Sequence, residues 1–184
     1  MDLSQALEVA SHTDPGMVRE HNEDSIASIA EKGLVVLADG MGGYNAGEVA
    51  SGMATTVITT ELRQLLDNKA PHEVDPQSGQ KAALKMLQEQ VTKANTSIYQ
   101  ASQSQPQYAG MGTTLVIALF YDNKMMVAHI GDSRLYRLRG DKLTVVVNTG
   151  DDYEQFGLTF SPDVDTMLYT LSGIASPSAG WEPE

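Results

Sequence analysis

The 184-residue sequence predicts an α+β fold, a layered sandwich of strands and helices. Three observations predict it. Short strand-like segments come first, two long stretches with helical periodicity follow, and further strand-like segments joined by tight turns complete the pattern. Strands, then helices, then an antiparallel meander suit a layered α+β arrangement better than an alternating parallel one.

Taken in order, Leu7 to Ile29 mixes short alternating segments with polar turns and reads as a β-hairpin turning at Asp14-Pro15-Gly16. Gly33 to Ala38 is a continuous apolar run ending in Asp39-Gly40, the pattern of a strand buried on both faces. Val49, Met53, Val57, Ile58, Leu62 and Leu65 then recur at helical spacing. Pro71 to Gly79 is a polar break. A second helix carries Leu84, Leu87, Val91, Ala94 and Ile98 on one face, and Ala101 to Gln107 reads as a Ser/Gln-rich loop. Strands are expected over Thr113 to Tyr121, Lys124 to Ile130, Arg134 to Leu138 and Leu143 to Val147. Asp122-Asn123 and Gly140-Asp141 are hairpin-type turns between them.

Composition narrows the function. Cysteine is absent, so disulfides and thiolate metal sites are excluded, and any metal must be held by oxygen or imidazole. The net charge of −12 argues against nucleic acid, whose backbone needs a basic face. No apolar run is long enough to span a bilayer and the start has no signal-peptide pattern, so no membrane partner and a cytoplasmic location are expected. All twelve Lys and Arg residues lie at or before Lys142, while seven acidic residues and no basic ones follow. That shift suggests a boundary there.

Three acidic segments stand out. In Arg19-Glu20-His21-Asn22-Glu23-Asp24, an arginine whose planar fork suits phosphate precedes carboxylates that suit a hard divalent cation. An exposed polar turn is the plainer reading of that hexapeptide alone. Asp39-Gly40-Met41-Gly42-Gly43 follows a buried strand directly and precedes a helix. A carboxylate there is costly unless paired or metal-bound, and the glycines allow the Gly40 carbonyl to act as a ligand. A helix cap or a phosphate nest competes, but no Lys or Arg follows the glycines as a Walker-type loop requires, so metal is favoured. Gly131-Asp132-Ser133-Arg134 lies between strands, and alone it reads as a tight turn. His129 alternates with apolar neighbours and reads as a packed core residue. Ser133 has no paired base in view and is not a nucleophile candidate.

Arg19, Asn22 and Asp24, then Asp39 to Gly43, then Gly112-Thr113-Thr114, then Gly131 to Arg134, occur in one order over residues 1–142. Together they resemble the metal-dependent (PPM-type) Ser/Thr protein phosphatases of bacterial style. The resemblance implies a β-sandwich flanked by helices and a centre of two or more Mg²⁺ or Mn²⁺ ions. It implies Asp24 and Asp39 as ligands, the Gly40 carbonyl as another, Glu23 acting through water and Arg19 holding the substrate phosphate. Asp132 matches the position of a third, weaker metal. It further implies a phosphoprotein substrate, phosphorylated by a Ser/Thr kinase, and hydrolysis by a metal-activated water. Some relatives carry a histidine after the Asp-Gly pair; Met41 stands there in this chain.

After Lys142 the family pattern calls for a later Asp-Gly and a later Asp-Asn motif, and neither appears. Residues 144–184 instead resemble an internal segment of the 2-phospho-lactate transferases, through Val146 to Asp152, Gly157-Leu158, Ser161 to Thr166, Leu168 to Leu171 and Gly180-Trp181. The sequence therefore divides into a phosphatase-type part over 1–142 and an acidic tail over 143–184. Three readings follow: a phosphoserine/phosphothreonine hydrolase, an inactive phosphoprotein-binding relative, and a transferase fragment.

Overall fold

The computed structural model describes residues 2–43, 46–146, 153–155 and 158–160, the last two spans as backbone alone. The expected transferase-like tail thus lies almost wholly outside the described residues. The chain forms two compact units, Met1–Ala128 and His129–Glu184.

β1 (Asp24–Ile29), β2 (Leu34–Met41), β4 (Leu115–Tyr121) and β5 (Lys124–Ile130) form a sheet in the order β1-β2-β4-β5, all within the first unit except the last two residues of β5, with the short β3 (Gly112–Thr113) beside the end of β2. β2 runs antiparallel to both β1 and β4. Helices α1 (Ala46–Asn68) and α2 (Ala82–Ser104) supply the other half of the core. Alternate residues of β2, Leu34, Val36 and Ala38, are fully buried in that core, while Val35 and Leu37 are half-buried on the opposite face. Burial on both faces, expected for β2, is instead the property of β4, where Leu115 through Leu119 are all buried.

α1 also presents a different face from the one expected. Its buried stripe is Ala46, Gly47, Ala50, Ser51, Ala54 and Thr55, continuing through Ile58 and Leu62. Val49, Met53 and Val57 only flank the core. The reason is steric. Small side chains let a helix backbone approach a strand closely, and the strand answers with Ala38 and Gly40. α2 extends to Ser104, past the loop expected from Ala101, because Ala101 still packs on the core and its carbonyl accepts the Gln105 N–H at 3.1 Å.

The hairpin expected over Leu7 to Ile29 is not formed. Only β1 is a strand, and Leu7 to Glu23 runs without strand pairing. The turn itself exists: the Gly16 N–H donates to Asp14 Oδ1 at 2.7 Å, with Gly16 at φ +75°. Residues 11–20 are all exposed, so no buried apolar face holds a first strand in register. The Asp122-Asn123 turn between β4 and β5 is as expected, both residues having positive φ.

In the second unit, β6 (Leu135–Arg139) and β7 (Lys142–Val146) pair antiparallel across the Gly140-Asp141 turn. The backbones of β8 (Tyr153–Gln155) and β9 (Leu158–Phe160) pair likewise. Among the described residues no helix is long and apolar enough to cross a membrane.

Candidate metal centre

The acidic end of the first unit is built by strand register. Asp24 and Asp39 are direct partners across β1 and β2. Opposite residues of an antiparallel pair project to the same face, so both carboxylates stand on the face turned away from the α1 side. Asp24 is exposed and Asp39 half-buried.

Hydrogen bonds hold the Asp24 carboxylate and the Asp39 backbone. Asp24 Oδ2 accepts from the Thr13 hydroxyl at 3.1 Å, Thr13 Oγ1 accepts from Asn22 Nδ2 at 2.8 Å, and Asn22 Oδ1 accepts from the Asp24 N–H at 3.0 Å. The ring so formed ties the loop around Thr13 to the start of β1. Across the sheet, the Asp39 N–H donates to Thr114 Oγ1 at 3.0 Å. The Asp39 carbonyl accepts from Thr114 N–H at 2.8 Å and Thr113 Oγ1 at 3.0 Å. The two threonines of the Gly112-Thr113-Thr114 segment therefore clamp the Asp39 backbone from both sides.

Glu23 and Gly40 meet just beyond. The Gly40 N–H donates to the Glu23 carbonyl at 3.0 Å, and the Ser51 hydroxyl of α1 donates to the same carbonyl at 2.6 Å. A Cβ on Gly40 would lie 2.1 Å from the Gly47 carbonyl oxygen, and one on Gly47 would lie 2.4 Å from Glu23 Oε1. Only glycine fits at either place. Arg19 reaches Glu23 with 3.9 Å between Nη1 and Oε2, and its side chain is 68% exposed, so the contact is loose.

The donors at this end are hard oxygens, from two carboxylates on adjacent strands with Glu23 beside them, and that chemistry fits Mg²⁺ or Mn²⁺. Among the described residues no three Asp, Glu or His side chains form a group able to hold a cation unaided. Asp132 belongs to the second unit and is exposed. Its turn is closed by His129 Nε2 against the Ser133 carbonyl, with His129 half-buried rather than a core residue. Thr13, Gly47 and Ser51 were not singled out from sequence. Only the small-residue spacing of Gly47, Ala50, Ser51, Ala54 and Thr55 could have shown which face of α1 meets β1 and β2.

Residues 10–167 match the family model described as Protein phosphatase 2C. The chain belongs to that family. It is 40% identical over 150 residues to the serine/threonine protein phosphatase PstP of Mycobacterium tuberculosis, covering 82% of this chain and 26% of that protein. It is 34% identical over 132 residues to the serine/threonine phosphatase stp of Listeria innocua, covering 70% of this chain and 49% of that protein. A crystal structure of the PstP catalytic domain in complex with two manganese ions superposes with a TM-score of 0.61 at 35% identity, over 92% of this chain and 62% of that one. The chain thus spans half or less of the full length of these two curated relatives. The expected α+β phosphatase fold is met. The family match also runs beyond Lys142, into the stretch whose likeness to the transferases was read from sequence.

Proposed function

We propose that this chain carries the amino-terminal part of a metal-dependent phosphatase acting on phosphoserine or phosphothreonine in proteins. One observation carries the reading: Asp24 stands directly opposite Asp39, with the Glu23 carbonyl bonded to the Gly40 amide. The relatives named above are serine/threonine phosphatases, and one of them is known with two manganese ions.

In this reading Asp24, Asp39 and the Gly40 carbonyl hold Mg²⁺ or Mn²⁺, Glu23 contributes through water, and Asp132 serves a further, weaker ion. Such ions supply the Lewis acidity that readies water for attack on phosphorus. The chain's own residues do the rest. Two carboxylates facing each other repel, and this repulsion makes the pair receptive to a cation. Thr13 limits how far the Asp24 carboxylate can turn away, and Thr113 and Thr114 hold the backbone from which the Asp39 side chain departs. Arg19, exposed and only loosely engaged by Glu23, can swing its fork onto two phosphoryl oxygens and offset charge that builds there. Met41 has no proton to give, so the side chain after the Asp-Gly pair cannot protonate the departing serine or threonine oxygen.

A phosphoprotein partner, a Ser/Thr kinase that phosphorylates it, and a cytoplasmic site of action belong to the same reading. The division at Lys142 into a phosphatase part and an acidic tail rests on the charge shift there. The test is hydrolysis of p-nitrophenyl phosphate with and without Mn²⁺. Mn²⁺-stimulated turnover lost in Asp39→Asn is the expected result; no turnover with any divalent cation would sink the activity. A second reading, phosphoprotein binding without cleavage, is favoured by the lack of a self-sufficient group of three ligands among the described residues. Phosphopeptide binding without phosphate release would select it.

A further inference from the structure

Resting on that reading, we infer that Ser51 is a positioning residue, whose hydroxyl sets the Glu23–Asp24 peptide from which the Asp24 side chain is presented. Ser51 lies in the second turn of α1 and is fully buried. A buried helical serine can satisfy its hydroxyl on its own helix, and Ser51 does lie 3.2 Å from the Glu48 carbonyl. Its shorter bond, 2.6 Å, leaves the helix for the carbonyl of Glu23. That carbonyl is the one the Gly40 amide also binds, at 3.0 Å. One oxygen atom therefore joins three pieces: the loop ahead of β1, the Asp39-Gly40 end of β2, and α1.

The helix is shaped for this contact. Gly47, one turn before Ser51 on the same face, leaves the space that the Glu23 carboxyl occupies. A bond to the carbonyl, rather than to the side chain, fixes the plane of the Glu23–Asp24 peptide. The direction in which Asp24 leaves the backbone follows from that plane. Thr55 gives the contrast. It is also buried and one turn further along α1, but its hydroxyl meets the Ser25 side chain at 2.7 Å and the carbonyls of its own helix. It reaches β1 one residue past Asp24 and only through a side chain, so it bonds no atom of the Glu23–Asp24 peptide.

The experiment is a Mn²⁺ titration of the full chain, following loss of the free-ion electron paramagnetic resonance signal, with thermal melting measured in parallel. Ser51→Ala is expected to weaken Mn²⁺ binding roughly 10-fold, the low end for a lost supporting partner of a metal ligand. Thr55→Ala is expected to lower the melting temperature as well, yet leave affinity within about 2-fold, well under the loss for a partner that holds a ligand's peptide, because it frees only the Ser25 side chain and keeps the Ser51 bond to the Glu23 carbonyl. Ser51→Thr keeps the donor while crowding the core, so it should melt lower and still bind within about 2-fold of the parent. It also serves as the deciding arm if Ser51→Ala does not fold. Equal weakening by Ser51→Ala and Thr55→Ala would overturn the inference, as would a folded Ser51→Thr that loses affinity. Failure of the unaltered chain to bind Mn²⁺ would remove instead the metal-dependent reading on which the inference stands.

Discussion

The two ends of β2 are built alike in shape and unlike in charge. At each end a glycine lets the backbone come closer than any side chain would allow. A Cβ on Gly33 would lie 2.4 Å from the Phe120 carbonyl oxygen, and one on Gly40 would lie 2.1 Å from that of Gly47. Around Gly33, however, charges come in pairs. Lys32 meets Asp67, Arg63 meets Glu31 at 3.3 Å, and Lys85 meets Asp75 at 3.3 Å across the nearby α1–α2 connection; the His72 imidazole adds a polar contact to Asp122 at 3.0 Å. Around Gly40 stand Glu23, Asp24 and Asp39, with Arg19 approaching Glu23 at 3.9 Å. One end is laced with ion pairs between elements, while the other sets two carboxylates directly opposite each other on neighbouring strands.

The largest effect expected from probing this comparison is steric. Gly40→Ala should destabilise the protein by about 3 kcal/mol, because the new methyl meets backbone rather than a yielding side chain. Gly79→Ala, with open space around it but φ +68°, should cost only about 1 kcal/mol. Denaturant melts of the two variants measure the difference; equal losses would mean that the Gly40 end is looser than described.

Next comes the ion-paired end. Asp75 is buried and accepts from the backbone N–H groups of Ser78 and Gln77, from Lys85 and from the Ser78 hydroxyl. The Ser78 and Gln77 amides, then Lys85, hold its carboxyl well below the usual carboxylate range. A depressed folded-state value means that the stabilisation is present above the unfolded value, near 3.8, and is lost as pH falls through the lower folded one. Asp75→Asn should therefore lower the melting temperature at neutral pH and flatten its decline in acid below about pH 4. An unchanged acid limb would contradict this.

The smallest effect is of opposite sign. In metal-free protein Asp39→Asn removes a like-charge pair from directly opposed strand positions and should stabilise by roughly 0.2–1 kcal/mol. A gain in stability with a loss of function is the mark of a residue kept for chemistry rather than folding.

How legible all this was in the sequence varies with the kind of interaction. β2, β4, β5 and the β6–β7 hairpin could be read because apolar runs and turn residues are local signals. The Leu7–Ile29 hairpin was misread because its alternation lacked a partner surface, which no local pattern reveals. The acidic segments were legible as motifs, yet the register that sets Asp24 against Asp39 is a property of pairing. Ser51 escaped notice because a serine within a helix reads as neutral; its meaning lies in an oxygen 28 positions away. Gly47 escaped for the same reason.

The most direct measurement of whether the acidic end is a cation site is Mn²⁺ affinity compared across the two ends of the sheet. Asp24→Asn and Asp39→Asn should each bind roughly 10-fold more weakly or worse, as a lost carboxylate ligand requires, while Lys32→Met at the paired end should bind like the parent chain. Affinity indifferent to both Asn substitutions, or lowered equally by Lys32→Met, would contradict the assignment.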